Sequence, residues 1–138
     1  MAHGMKLDIL TPLGPKRQGL DVGGVEVPGL EGELGVLPLH ESFITAVKPG
    51  VVRFRDGAKS VRMAIGSGFL EVKDDGRVVI LCERAAEPDE IDASAVREEL
   101  KDVTRQLEAY KGPISAAEYR DLVTRRQWLD AQLRCVAN

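Results

Sequence analysis

Hydrophobic positions change their period once along this chain, and the change divides it in two. From Leu7 to Leu81, short apolar runs are cut by frequent turn signals. Leu7, Ile9 and Thr11 alternate with Lys6, Asp8 and Leu10 until Thr11-Pro12-Leu13-Gly14-Pro15 breaks the run. Further strands are predicted over Leu20–Val27, Gly35–Leu37, Phe43–Val47, Val51–Arg55, Val61–Ile65, Phe69–Lys73 and Arg77–Leu81. Asp56-Gly57 and Asp74-Asp75-Gly76 are hairpin turn signals, because glycine accepts the positive φ of tight hairpins. Strands this short and this closely spaced need two packed sheets to bury their apolar sides. A β-sandwich is expected.

Beyond Pro88 there is no glycine until Gly112, and Ile91, Val96, Leu100, Val103, Leu107 and Tyr110 fall three to five apart. That spacing puts them on one face of a helix. Asp92 is placed as its N-cap, with Ile91 and Val96 as a hydrophobic staple, and Lys111-Gly112-Pro113 as its stop. A second helix is predicted from Ser115, with Glu118 completing a capping box and Ile114 stapled to Tyr119. Its stripe runs through Tyr119, Leu122, Val123, Leu129, Leu133 and Val136, interrupted by Arg126. Two long helices on a short loop must pack antiparallel. The predicted fold class is therefore α+β, segregated: an antiparallel β-sandwich (residues 1–87) followed by an αα-hairpin (88–138). Met5 can serve as the native start, which would set residues 1–4 apart. An isolated hairpin buries one seam only, so this one needs a surface to lean on.

Composition narrows the function. The net charge of -3 argues against nucleic acid, which requires surplus Lys and Arg to displace counterions. No run of apolar residues is long enough to span a membrane, and the start lacks the form of a signal peptide. Cys82 and Cys135 are far apart and have no CxxC partner, which points to a reducing compartment and inert thiols.

Catalytic equipment is missing from the sequence. A phosphate loop would require glycines at Arg53 and Ala58 before Lys59-Ser60. Gly66-Ser67-Gly68 lacks the spacing of a nucleophile elbow and reads as a tight turn. His40 beside Glu41 does not make a metal site; it reads as a loop or packing histidine, with partner contact as the alternative. The acidic run from Glu87 to Asp92 lacks calcium-loop spacing and suits a helix start instead. Arg97, Lys101 and Arg105 share one helix face, and Arg120, Arg125, Arg126 and Arg134 add charge to the other helix. Such a stripe is a solvated face or a dock for an acidic partner. Trp128 lies off the main stripe, packed on the sandwich or exposed as an anchor. No catalytic, cofactor or metal residue is assigned, so the chain reads as non-catalytic.

Residues 31–50, EGELGVLPLHESFITAVKPG, resemble the G-E-L-G-[IV]-L-P-G-H segment of the epsilon subunit of F-type ATP synthases. Leu7–Pro12, Gly66–Val72 (GSGFLEV) and Val79–Asp92 (VILCERAAEPDEID) are similar to further segments of that family, in the same order. The resemblance implies a sandwich with a C-terminal hairpin and a rotor role in ATP synthesis and proton transport. It implies that the sandwich binds the gamma subunit and sits on the c-ring, with Gly32, Glu33, Leu34 and His40 facing the ring. It implies a hairpin that folds onto the sandwich or extends toward the alpha/beta hexamer to inhibit ATP hydrolysis. Arg97, Lys101, Arg105, Arg125 and Arg126 would then meet acidic segments of the head. The expected location is peripheral, on the cytoplasmic face of a bacterial plasma membrane, with membrane association only through the complex.

Two departures qualify the resemblance. Leu39 and Ser42 replace the family's Gly and Pro around His40, which alters that turn. Some bacterial members bind ATP through I-D-x-x-R-A, but here Ile91-Asp92 is followed by Ala95 at the Arg position, and Ala86 stands for an acidic residue of that site. No cofactor is therefore expected. The alternatives are an ATP-sensing module, which the missing Arg disfavours, or the epsilon subunit of a second, ion-specialised synthase.

Overall fold

The computed structural model describes residues 4–38 and 41–137. Its strands are β1 (Met5–Thr11), β2 (Gly14–Val22), β3 (Val25–Gly29), β4 (Gly32–Val36), β5 (Phe43–Val47), β6 (Gly50–Asp56), β7 (Lys59–Ile65), β8 (Gly68–Val72), β9 (Arg77–Cys82) and β10 (Ala85–Ala86). A 3-10 turn, Pro88–Glu90, leads to α1 (Ala93–Ala109) and α2 (Ala117–Val136). Strand neighbours follow the order β10-β7-β6-β3-β5-β8-β9-β1-β2, with β4 on β3, and the ribbon folds over so that β2 packs on β6. The period of two sends Leu7, Ile9, Val52, Met63, Leu70, Val78 and Ile80 into one dry core. Both DG signals form, with Gly57 at φ 64° and Gly76 at φ 91°. One pair departs from the antiparallel expectation: β1 and β9 run parallel.

The single strand expected over residues 20–27 is two. The chain turns at Gly23-Gly24, and the first piece extends back to Gly14 along the polar run Pro15–Gly19. This stretch was unreadable by hydrophobicity because β2 is an edge strand, paired only to β1, where even Pro15 is tolerated. Its register is fixed by a bulge instead. Gly19, at φ 64°, donates its N–H to Asp8 Oδ1 at 2.6 Å, and Arg77 donates to Asp8 Oδ2 at 3.1 Å. Asp8 is the one buried charged residue among those described, and both its oxygens are satisfied.

In the hairpin, Asp92 caps α1 by accepting from the Ala95 N–H. The other cap differs from expectation. α2 begins at Ala117 with Ala116 as N-cap and no side-chain cap, because a turn closed by Ala116 N–H to Pro113 O carries Ser115 outside the helix. Nor does α1 end on a left-handed glycine: Tyr110 is its extended C-cap. Gly112 is needed because the Tyr110 ring lies over it, donating to Pro113 O at 2.7 Å; a Cβ there would come within 2.6 Å of the Tyr110 hydroxyl.

α2 has two buried faces, not one stripe. Leu129 meets Val96 and Val103 of α1, flanked by Leu100, Leu107, Leu122 and Leu133. On its other side, Ala131 and Cys135 sit on Val51 and Ala64, register partners on the outer face of β6 and β7, with Trp128 packed alongside. α2 lies between α1 and the sheet, so the hairpin is folded down on the sandwich. The small side chains let helix and sheet approach closely.

Candidate functional site

Three surfaces of this fold stand out. The first is the outer face of β5, β8, β9 and β1. Register aligns Ala46, Phe69, Leu81 and Leu10 in one row across those strands, and Ile44, Glu71, Val79 and Asp8 in the next. Ile44 is 67% exposed, Phe69 57% and Leu81 49%. Alternation puts their neighbours Leu70 and Ile80 into the core, so these apolar side chains stand outward on a rigid floor. In the sequence they stand only as positions of predicted strands; the signal of a surface lies in strands that are apolar on both faces, which is how a strand covered on both sides reads.

The second surface is the β3–β4 hairpin. Leu30 and Glu31 form its exposed tip, and Gly32 follows at φ 128°. Glu33 is exposed, whereas Leu34 packs against the sandwich core, because successive strand residues point to opposite faces. His40 and Leu39 lie outside the described residues.

The third is the hairpin with its root. Arg17 on β2 grips Glu87 through its two terminal guanidinium nitrogens, at 3.2 and 3.0 Å, and stacks over Phe54. Lys16 holds both oxygens of Glu90 at 2.9 and 3.0 Å, and Glu90 accepts from the Glu87 N–H at 2.8 Å. The hydrogen bond from Arg17 holds the Glu87 carboxyl below the usual glutamate range despite some desolvation. The Glu87 N–H, then Lys16, does the same for Glu90. The linker is thus tied to the sandwich at Glu87 and Glu90, and Ile91 after it packs on the same Val51 and Ala64 that seat α2.

The predicted basic residues do not form one surface in this state. Lys101 pairs with Glu98 and Arg105 with Asp102 along α1, while Arg125 reaches across to Glu99. Arg97 and Arg126 are exposed and make no ion pair among the described residues. Arg125 also lines the cleft of about 840 Å³ between hairpin and sandwich, where Ala95 stands. Glu83, Asp92, Glu99 and Asp121 face that cleft against only two guanidinium groups. One of these, Arg125, is held by Glu99; the other, Arg84, stacks on Trp128 at 5.3 Å. Arg84 carries no ion pair among the described residues, and the four carboxylates of the cleft outnumber its two guanidinium groups.

Burial pushes the Cys82 thiol up to about 11, with Glu83 adding to it. Cys135 is also raised by burial, opposed by the Ala64 backbone, Arg62 and Arg53. Both are protonated and shielded near neutrality.

Comparison with known proteins converges on one family. Residues 4–88 match the profile described as ATP synthase, Delta/Epsilon chain, beta-sandwich domain. The ATP synthase epsilon chain of Trichlorobacter lovleyi is 34% identical over 130 residues, covering 87% of this chain and 93% of that one. That of Desulforamulus reducens is 38% identical over 97 residues, covering 70% and 72%. In fold, the chain is similar to one in the Euglena gracilis mitochondrial ATP synthase OSCP/F1/c-ring assembly, with a TM-score of 0.81 at 21% identity over 95% of this chain and 80% of that. It is also similar to one in the Tetrahymena thermophila central stalk and c-ring, at 0.63 and 14% over 99% and 98%. With its sandwich and both helices accounted for, the chain belongs to the ATP synthase delta/epsilon family, as an epsilon chain.

Proposed function

We propose that this protein is the non-catalytic central-stalk subunit of an F-type ATP synthase, and that it couples a c-ring to the catalytic head through gamma. The observation that carries this reading is the exposed apolar row of Phe69 and Leu81 with Ile44 beside it, on the opposite strands from the hairpin's seat. A patch of aromatic and aliphatic anchors on a rigid sheet suits a permanent partner. This face docks gamma, while the β3–β4 tip, with Gly32 and Glu33, meets polar loops of the ring. The likeness to chains from F1/c-ring and central-stalk assemblies supports the same placement. Among the described residues no helix is long and apolar enough to cross a membrane; in this reading the subunit reaches the cytoplasmic face through the complex.

The hairpin restrains ATP hydrolysis when it leaves the sandwich for the alpha/beta head. Support comes from its narrow seat, where Ala131 and Cys135 lie on Val51 and Ala64 with Ile91 and Trp128 alongside, and from its tethered root. In the extended state Arg97, Lys101, Arg105, Arg125 and Arg126 exchange their internal carboxylates, where they have one, for acidic segments of the head. The charge of the cleft supports a switch that does not read ATP.

Reconstitution with alpha, beta and gamma tests this reading, comparing the full chain with one ending at Glu87. Both should bind gamma, and only the full chain should slow ATPase. Equal ATPase rates would remove the inhibitory role; loss of gamma binding on truncation would move docking out of the sandwich. Phe69→Asp should weaken gamma binding by about a hundredfold, as loss of a buried aromatic anchor does. Saturable ATP binding at micromolar concentration by calorimetry would refute the last point.

A further inference from the structure

The outer face of β4, β3, β6 and β7 continues past the hairpin's seat into a second, uncovered surface. Val51 and Ala64 are register partners under α2. Two residues further along, on the same face, Arg53 stands directly opposite Arg62, with Glu26 and then Gly35 completing the row across β3 and β4. Like charges directly opposed across strands destabilise a sheet. Yet Glu26, next to Arg53, forms no ion pair with it, and neither arginine has an ion pair or hydrogen bond among the described residues. In the following row Arg55 is held toward the same side by Ser60 Oγ at 3.3 Å and Ala58 O at 2.8 Å, neither of them an anion.

These residues border a groove of about 700 Å³. Its far wall is Leu37, 61% exposed, and its floor there is glycine. A Cβ at Gly24 would come within 3.2 Å of the Leu37 side chain, so a larger residue there would crowd this end of the groove. Three guanidinium groups face one carboxylate on a chain whose net charge is -3. The surplus of positive charge is local, and it borders an apolar wall.

We infer that the groove bounded by Arg53, Arg55, Arg62 and Leu37 is a docking site for an acidic segment of a partner polypeptide, one that offers carboxylates to the arginines and an apolar side chain to Leu37. Charge complementarity selects an anion, and the planar fork of arginine suits carboxylate. Continuity with the α2 seat selects a peptide: the helix stands on the adjoining row and holds a flat membrane away, whereas a single segment can lie beside it. This inference is independent of the docking of Phe69 and Leu81, which lie on other strands.

The test is a titration of the full chain, labelled with ¹⁵N, with a short capped peptide of alternating Glu and Leu, followed through amide and arginine Nε–H resonances. Shifts should be confined to residues 24–26, 35–37 and 53–62 and should weaken as salt rises. Arg53→Gln and Arg62→Gln should each lower affinity about tenfold, the worth of one charge-assisted hydrogen bond to a carboxylate. Neither should lower the melting temperature, since each relieves a like-charge pair; Arg97→Gln should change nothing. The inference is overturned by shifts centred elsewhere, by equal binding of a Lys and Leu peptide, or by affinity unchanged in folded arginine variants. Phosphatidylglycerol vesicles engaging these arginines where the peptide does not would overturn it in favour of a lipid.

Discussion

The sandwich and the hairpin are both held by apolar burial, but in very different geometries. In the sandwich one cluster runs from Met5 to Cys82, and every strand from β1 to β9 adds to it or packs against it. The hairpin fully buries only Val96, Val103 and Leu129 in its own seam, and reaches the sheet through Ala131 and Cys135. A core closed from all sides must open as a unit, whereas a helix pair seated on one face can lift away and leave that core intact. Stability graded this way along one chain suits the fixed body and movable arm of the proposed switch.

That contrast can be broken most forcefully at the core. Ile80→Ala should cost about 2–5 kcal/mol of global stability, read by denaturant unfolding of the whole chain. A variant that lost only helical signal would show that the sandwich is not the cooperative unit. Next, Ala131→Leu overfills the seat and should weaken docking by about 1–3 kcal/mol. Cys135 then reports the change directly. Its labelling by a thiol reagent should accelerate while that of Cys82 does not, and parallel acceleration of both would mean global opening.

Smaller effects sharpen the hairpin itself. Asp92→Ala should cost α1 about 1 kcal/mol, whereas Ser115→Ala should be within about 0.5 kcal/mol of neutral, because Ser115 lies outside α2. Thermal melts followed by circular dichroism distinguish the two. The smallest is the tether of the linker. Glu87 and Glu90 are held below the usual glutamate range, so their contribution is fully present above that range and is lost as pH falls through their lowered values. Glu87→Gln should remove Glu87's share of this acid dependence and leave that of Glu90, whose partners are the Glu87 N–H and Lys16, while changing stability at neutral pH by under about 1 kcal/mol, since the pair is partly exposed. Hydrogen exchange of residues 87–92 at two pH values measures it.

Local chemistry alone determined much of this protein. Both DG turns, the alternating cores of β6 to β9, the Asp92 cap and the helical spacing of α1 act between near neighbours, and all appear where the sequence put them. Its motifs also led to the epsilon family. Tertiary structure decided the rest. β2 is a strand because β1 offers it an edge, not because its residues prefer one. Ala131 and Cys135 look like gaps in a hydrophobic stripe until the sheet lies beneath them. Phe69 and Leu81 become a surface, and Arg53 meets Arg62, only when register aligns strands far apart in sequence. A linear pattern records which residues avoid water; which neighbour covers them, and which face is left uncovered, is fixed by how the elements pack.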